Sequence, residues 1–180
     1  MCGIAGIVHL AGEAIPDIDR RLGVMARLIA HRGPDDSGVW VSPTRDAGFA
    51  HRRLSIFDLS SAGHQPMVGE DGAVLVHNGE IYNFSELKAE LADRWKFKTR
   101  TDTEVNLAAH AVWGAGAVNR FRGMFAFARW DPKSRSLLAA RDRMGVKPFY
   151  YTVQGRTLYF ASEMKALLPF PVSGSLEGYL

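Results

Sequence analysis

Met1-Cys2-Gly3-Ile4-Ala5-Gly6-Ile7-Val8 opens the chain, and Cys2 is its only cysteine. Gly3–Leu10 is an apolar run of strand length, so the thiol stands at the head of a buried strand. If Met1 is removed, one residue carries both a thiol and a free α-amine. Their ordinary pKa values are roughly 8.5 and 7.7–8.0, so the amine can take the thiol proton near neutral pH at little energetic cost. That is a nucleophile and its base in one residue, the logic of N-terminal nucleophiles. Gly3 behind the cysteine is small, which suits removal of the initiator methionine. The competing reading is a chance thiol on a structural strand.

Composition narrows the alternatives. A chain of 180 residues with 47% hydrophobic and 11% aromatic residues can build one ordinary core. One cysteine forms no internal disulfide, which favours a reducing compartment. The opening apolar run is short and lacks a basic flank, unlike a signal peptide. No apolar run approaches the roughly 20 residues that span a bilayer. A net charge of +3 is mild and the basic residues are interspersed with acidic ones. His51-Arg52-Arg53 is too short for a nucleic-acid stripe. These features predict a cytoplasmic chain that binds neither membrane nor nucleic acid. Only the end, from Pro169 through Gly174 and Gly178, reads as a linker.

Periodicity predicts a helix over Asp17–Ala30, with Ile18, Leu22, Met25 and Ile29 on one face. A polar loop follows, His31–Gly38. Strands are predicted at Val39–Val41 and Gly48–Leu54, then a hairpin of Met67–Val68 and Ala73–His77 around Asp71-Gly72. Asn78-Gly79-Glu80 reads as a break. Asn83 with Glu86 has capping-box spacing for a helix over Ser85–Arg94. Asp102 or Thr103 is placed to cap a second helix ending at Trp113, with Gly114 as its stop. Strands are predicted at Met124–Trp130, Leu137–Ala140, Phe149–Val153 and Leu158–Ala161, and a closing helix at Ser162–Leu168. Strands outnumber helices and helices cluster between strand groups, which points to an α+β fold.

A cysteine nucleophile needs an oxyanion hole. Asn78-Gly79, directly after an apolar strand, offers a side-chain amide and a backbone N–H; taken alone, the pair is more often a plain turn. Arg53 suits a bidentate carboxylate clamp, or is an exposed strand-end arginine. Asp102 suits an ammonium group, or caps a helix. The six histidines show no paired metal spacing and read as structural. There is no Gly-x-x-x-x-Gly-Lys-Ser/Thr loop, and Gly114-Ala115-Gly116 lacks a preceding strand. No ATP site, no metal site and no cofactor is therefore expected in this chain.

These residues also form an ordered set. The set runs Met1-Cys2-Gly3-Ile4-Ala5-Gly6, His31-Arg32-Gly33-Pro34-Asp35, His51-Arg52-Arg53-Leu54-Ser55-Ile56 and Asn78-Gly79-Glu80-Ile81-Tyr82-Asn83. It continues with Thr101-Asp102-Thr103-Glu104-Val105, Arg122–Ala128, Arg141-Asp142-Arg143-Met144-Gly145-Val146-Lys147-Pro148 and Ala161–Leu167. In this order they resemble the glutaminase domain of class II glutamine amidotransferases, specifically that of glutamine-hydrolysing asparagine synthetases, over residues 1 to about 168. The resemblance implies an N-terminal-nucleophile hydrolase fold, a four-layer αββα sandwich of two antiparallel sheets. It implies hydrolysis of glutamine to glutamate and ammonia, with Cys2 as nucleophile and its amine as base. Asn78 and Gly79 would form the oxyanion hole, and Arg53 would hold the glutamine carboxylate. Asp102, with Gly79 and Glu80 nearby, would hold the α-amine, and backbone groups at Leu54 and Ile56 would complete the pocket. The implied partner is an ammonia-accepting synthetase domain or subunit, and ATP and Mg would be needed only there; a homodimer is compatible with this. Residues 169–180 match the family's linker loosely. The sequence names no acceptor, and a different acceptor or a silent scaffold role stands as the alternative. With Met1 attached, the base would be an amide nitrogen and the site a precursor.

Overall fold

The computed structural model describes residues 1–56 and 60–170. The first strand, β1 (Gly3–His9), sits at the centre of one antiparallel sheet. Its neighbours are β3 (Ala47–Arg53) and β9 (Thr157–Ala161), with β2 (Asp36–Val41) and β8 (Tyr150–Gln154) at the edges. The second antiparallel sheet runs β4 (Met67–Val68), β5 (Val74–Ile81), β6 (Gly123–Asp131), β7 (Ser136–Arg141).

Why β1 is apolar without alternation follows from its place. Ile4 and Val8 face the second sheet, in a cluster with Phe49, Val76, Ala126 and Phe160. Ala5 and Ile7 face the other way, onto helix α1 (Ile18–Leu28), whose Ile18, Leu22 and Met25 are buried. A strand covered on both faces has no solvent side to make polar. Gly6 leaves room for two rings: a Cβ there would lie 2.3 Å from Phe160 and 2.7 Å from Phe49. On the far side, α2 (Phe84–Leu91) and α3 (Asp102–Trp113) pack on the second sheet through Leu87, Leu91, Val105 and Ala108 against Leu75, Phe125 and Phe127. The layers are therefore helix, sheet, sheet, helix, as expected of an αββα sandwich.

Several local expectations are corrected. Asn78-Gly79 does not break the strand: β5 continues to Ile81, with Asn78 opposite Ala126 and Gly79 opposite Phe125. The neighbouring strand β6, distant in sequence, supplies the hydrogen bonds that the local sequence did not advertise. Asp102 is not a cap; Thr101 caps α3 by accepting from Glu104 N at 3.2 Å. Asn83 stands at the N-cap of α2, yet its amide is drawn away to Arg122 N at 2.9 Å and Arg120 O at 3.0 Å. Glu86 pairs with Arg122 rather than closing a capping box. β2 starts at Asp36, inside the stretch read as loop. The closing helix is only a 3₁₀ turn, Met164–Ala166. Phe170, read as linker, is 7% exposed and stacks on Tyr159 at 5.0 Å, so the packed unit includes it. The rest of the expected linker, 171–180, lies outside the described residues. No described helix is long and apolar enough to cross a membrane.

Candidate active site

Strand pairing brings the site together. Gly3 lies opposite Arg52 in the antiparallel β1–β3 pair. One step further along each strand, Cys2 meets the end of β3. Leu54 N donates to Cys2 Sγ at 3.4 Å, and the thiol lies 3.6 Å from Leu54 O. Arg32 Nε donates to Cys2 O at 2.9 Å while its Nη1 donates to Glu163 at 3.0 Å. Partial burial works against the Glu163 carboxylate, but hydrogen bonds from Lys165, Arg32 and His31 hold it down at about 2. An anchored guanidinium thus pins the backbone of the cysteine.

The second sheet faces this strand end. His51 Nε2 donates to His77 O at 3.2 Å, a bond between sheets. Burial drives His51 down to about 3, so the ring is neutral and its Nε2 carries the proton. Gln65 completes the frame. Its Oε1 accepts from His77 N at 2.6 Å, and its Nε2 donates to Thr103 Oγ1 at 3.2 Å. It ties β5 to the first turn of α3, where Asp102 Oδ2 accepts from Ile81 N at 2.9 Å.

Between these elements lies a cavity of about 420 Å³. Cys2, Arg53, Leu54, Ile56, Asn78, Gly79, Glu80 and Asp102 all line it. The sequence therefore named eight residues, from four separate segments, that the fold gathers at one opening. The cavity volume suits a ligand of amino-acid to drug size. Arg53 is 7% exposed and donates through Nη1 to Ser60 O at 2.8 Å, so its guanidinium is oriented before any ligand arrives. Gly79 has φ +142°, and a Cβ there would stand 2.1 Å from Met124 O. Only glycine fits that close crossing.

Asn78 is the decisive residue. It is fully buried, and both its Nδ2 and Oδ1 lack a hydrogen-bond partner among the described residues. A buried amide left unpaired costs about 1–3 kcal/mol. Here it lines a cavity where a ligand oxygen can accept from Nδ2. The thiol is also held out of balance. Burial pushes Cys2 up from its ordinary value; the Leu54 contact, the N-terminal charge and Arg53 oppose this, and Asp102 adds to it. A thiol that resists ionisation needs a base beside it.

Residues 1–177 match the family model described as glutamine amidotransferase domain. The chain belongs to that family. It is 42% identical to asparagine synthetase B [glutamine-hydrolyzing] of Escherichia coli (strain K12), covering 94% of this chain and 30% of that protein. It is 41% identical to asparagine synthetase [glutamine-hydrolyzing] 3 of Bacillus subtilis (strain 168), covering 95% and 28%. With amidase chry2 of Gibberella zeae it shares 40% identity, covering 94% and 27%. It thus spans under a third of the length of these relatives. Glutamine phosphoribosylpyrophosphate amidotransferase from B. subtilis superposes with a TM-score of 0.77 at 19% identity, over 92% of this chain and 43% of that one. That likeness is one of fold: the two chains share the sandwich of two antiparallel sheets between helices.

Sequence reading missed Gln65, Gly63, Thr103 and Lys147, which line the same cavity. Gly63 ends a short 3₁₀ turn, Ser61–Gly63, and Gln65 lies in the irregular backbone after it, with no pattern in the sequence to mark either. Lys147 did carry a signal: it lies in the motif Arg141–Pro148, which was read only as a family marker. Among the described residues no three His, Cys, Asp or Glu side chains gather as a metal-ion cluster.

Proposed function

We propose that this domain hydrolyses glutamine to glutamate and ammonia, and that the ammonia goes to a synthetase domain or subunit. The observation that carries the reading is the unpaired, buried Asn78 amide in the cavity that also holds the chain's one thiol. Removal of Met1 frees the Cys2 α-amine. The amine takes the thiol proton, and the sulfur attacks the side-chain amide carbon of glutamine. The oxygen of the tetrahedral adduct gains its negative charge beside Asn78 Nδ2–H and the Gly79 backbone, donors that cost no reorganisation as charge develops. The protonated amine gives its proton to the departing nitrogen, and ammonia leaves. Water, deprotonated by the same amine, then cleaves the thioester to glutamate and restores the thiol.

Arg53 supplies the planar fork that a carboxylate prefers, and Asp102 and Glu80 supply negative charge for the α-ammonium. No nucleotide-binding loop exists in the sequence, so ATP and Mg belong to the acceptor half. The identity to glutamine-hydrolysing asparagine synthetases favours an activated carboxylate of aspartate as acceptor. The full complement of a thiol, an amide donor and both charged clamps favours an active amidase over a silent scaffold. The test is a glutaminase assay paired with intact-mass measurement. Glutamate should form at a rate that follows the fraction lacking Met1. Turnover by protein that retains Met1 would remove the amine from the mechanism.

A further inference from the structure

Lys147 has no part in the reaction just described, yet it lines the same cavity and is only 5% exposed. Its turn is rigidly held. Asp142 accepts the N–H groups of Phe125, Met144, Val146 and Lys147 at 3.3, 3.2, 2.9 and 3.0 Å. Four amide donors on one carboxylate knot the backbone after β7 and aim the lysine stem. The ammonium donates to Met1 Sδ at 3.2 Å. A thioether is a weak acceptor, and no carboxylate lies in ion-pair range of Nζ among the described residues. Burying a cation on such a partner brings little stability in return.

The partner is also the residue that processing removes. Standard bond lengths put Met1 Sδ within about 6 Å of the Cys2 nitrogen, and Nζ therefore within about 9 Å of it. We propose that Lys147 is a positioning residue for the Cys2 α-amine: once Met1 is gone, its ammonium faces the new amine across the vacated space and keeps it in the unprotonated form that serves as base. The proposal rests on the glutaminase reading above. The other charged or titratable groups around the amine are Arg53 on β3, Arg32 at Cys2 O, Asp102 on α3, and Glu80 and His77 on β5. Asp102 and Glu80 favour a protonated amine. Arg53 and Arg32 oppose them, and Lys147 adds a further cation from the side that Met1 occupies. At this separation a like charge disfavours the ammonium form by about tenfold.

The single cysteine makes the test direct. Protein lacking Met1 is prepared with ¹⁵N,¹³C-labelled cysteine, so one spin system reports the amine nitrogen and, through Cβ, the thiol. In the unsubstituted protein the amine should titrate below the ordinary α-amine range of about 7.7–8.0. Lys147→Met should raise that midpoint by about one pH unit, and Lys147→Arg should leave it in place. The acidic limb of kcat/KM should move with it, so Lys147→Met is about tenfold slow at pH 6.5 and near normal at pH 9. An ordinary or raised midpoint in the unsubstituted protein would overturn the inference, whether or not any variant folds. So would a Lys147→Met loss that is equal at all pH values. Absence of glutamine turnover would sink the glutaminase reading instead, and the amine titration would still decide the role of Lys147.

Discussion

Asn78 shows how one side chain can be costly to the fold and useful to the site. Its amide is buried with both ends unpaired, so Asn78→Ala removes an unmet polar group. The melting temperature should hold or rise, because a desolvation cost of about 1–3 kcal/mol disappears while little packing is lost. The rate should fall in the other direction: losing one oxyanion donor costs roughly 10²–10³ in kcat, with KM little changed. Parallel glutaminase kinetics and a thermal melt check both halves; a normal kcat would leave the oxyanion without its donor. Arg53 is governed by a neighbour that has no side chain. A Cβ on Gly63 would stand 2.0 Å from Arg53 Nη2. The guanidinium is the flexible end of a long chain, so it moves and the backbone does not. Gly63→Ala should therefore raise KM for glutamine about tenfold, the order expected when a charged hydrogen bond of about 1.5–3 kcal/mol is misaligned. Stability should stay within about 0.5 kcal/mol. A KM equal to that of the unsubstituted protein would place the substrate carboxylate elsewhere.

At the scale of elements, α3 carries both the site and a pH liability. Its first turn holds Asp102 against Ile81 N. About two turns on, His110 Nδ1 donates to Asn106 O at 2.9 Å, and Nε2 is buried without a partner among the described residues, between the rings of Phe121 and Phe127. Burial lowers His110 from its ordinary 6.5 to about 4. The unfolded chain takes up this proton more readily than the folded one. The contribution of the neutral ring is thus whole above pH 6.5 and is lost progressively as pH falls toward 4. At 1.36 kcal/mol per unit, the loss reaches up to about 3 kcal/mol. His110→Phe keeps an aromatic ring but cannot charge. Its unfolding free energy should fall less between pH 7 and 4.5 than that of the unsubstituted protein. Urea titrations at the two pH values measure the difference, and parallel curves would show that His110 does not titrate in this window.

For the whole molecule, the two sheets act as jaws. One presents Cys2 and Arg53, the other Asn78 and Gly79, and α3 adds Asp102. All eight of the predicted lining residues belong to this chain. The chain should therefore release glutamate and ammonia from glutamine on its own, yet form no asparagine from aspartate and ATP. Chromatography of amino acids after incubation with glutamine, aspartate, ATP and Mg reads both outcomes. Asparagine formed by these residues alone would mean that a second site exists here.

What the sequence determined by itself was local and chemical. The apolar Gly3–Leu10 run, the stripe of Ile18, Leu22 and Met25, and the turn at Asp71-Gly72 mark elements because burial and backbone freedom act on neighbours a few residues apart. The same holds for Cys2, whose thiol and amine share one residue, and the ordered motifs named the other lining residues through resemblance. Tertiary structure alone decided three things. It carried β5 straight through Asn78-Gly79, because β6 offers a full ladder that outweighs the turn preference of the pair. It moved the cap of α3 to Thr101 and freed Asp102 for Ile81 N, since a carboxylate takes the donor that the neighbouring strand brings near. It set Lys147, 145 positions along the chain from Cys2, against the methionine that precedes this cysteine. Those outcomes depend on which strands lie side by side, and pairing energy is shared between residues far apart in sequence, where no local pattern records it.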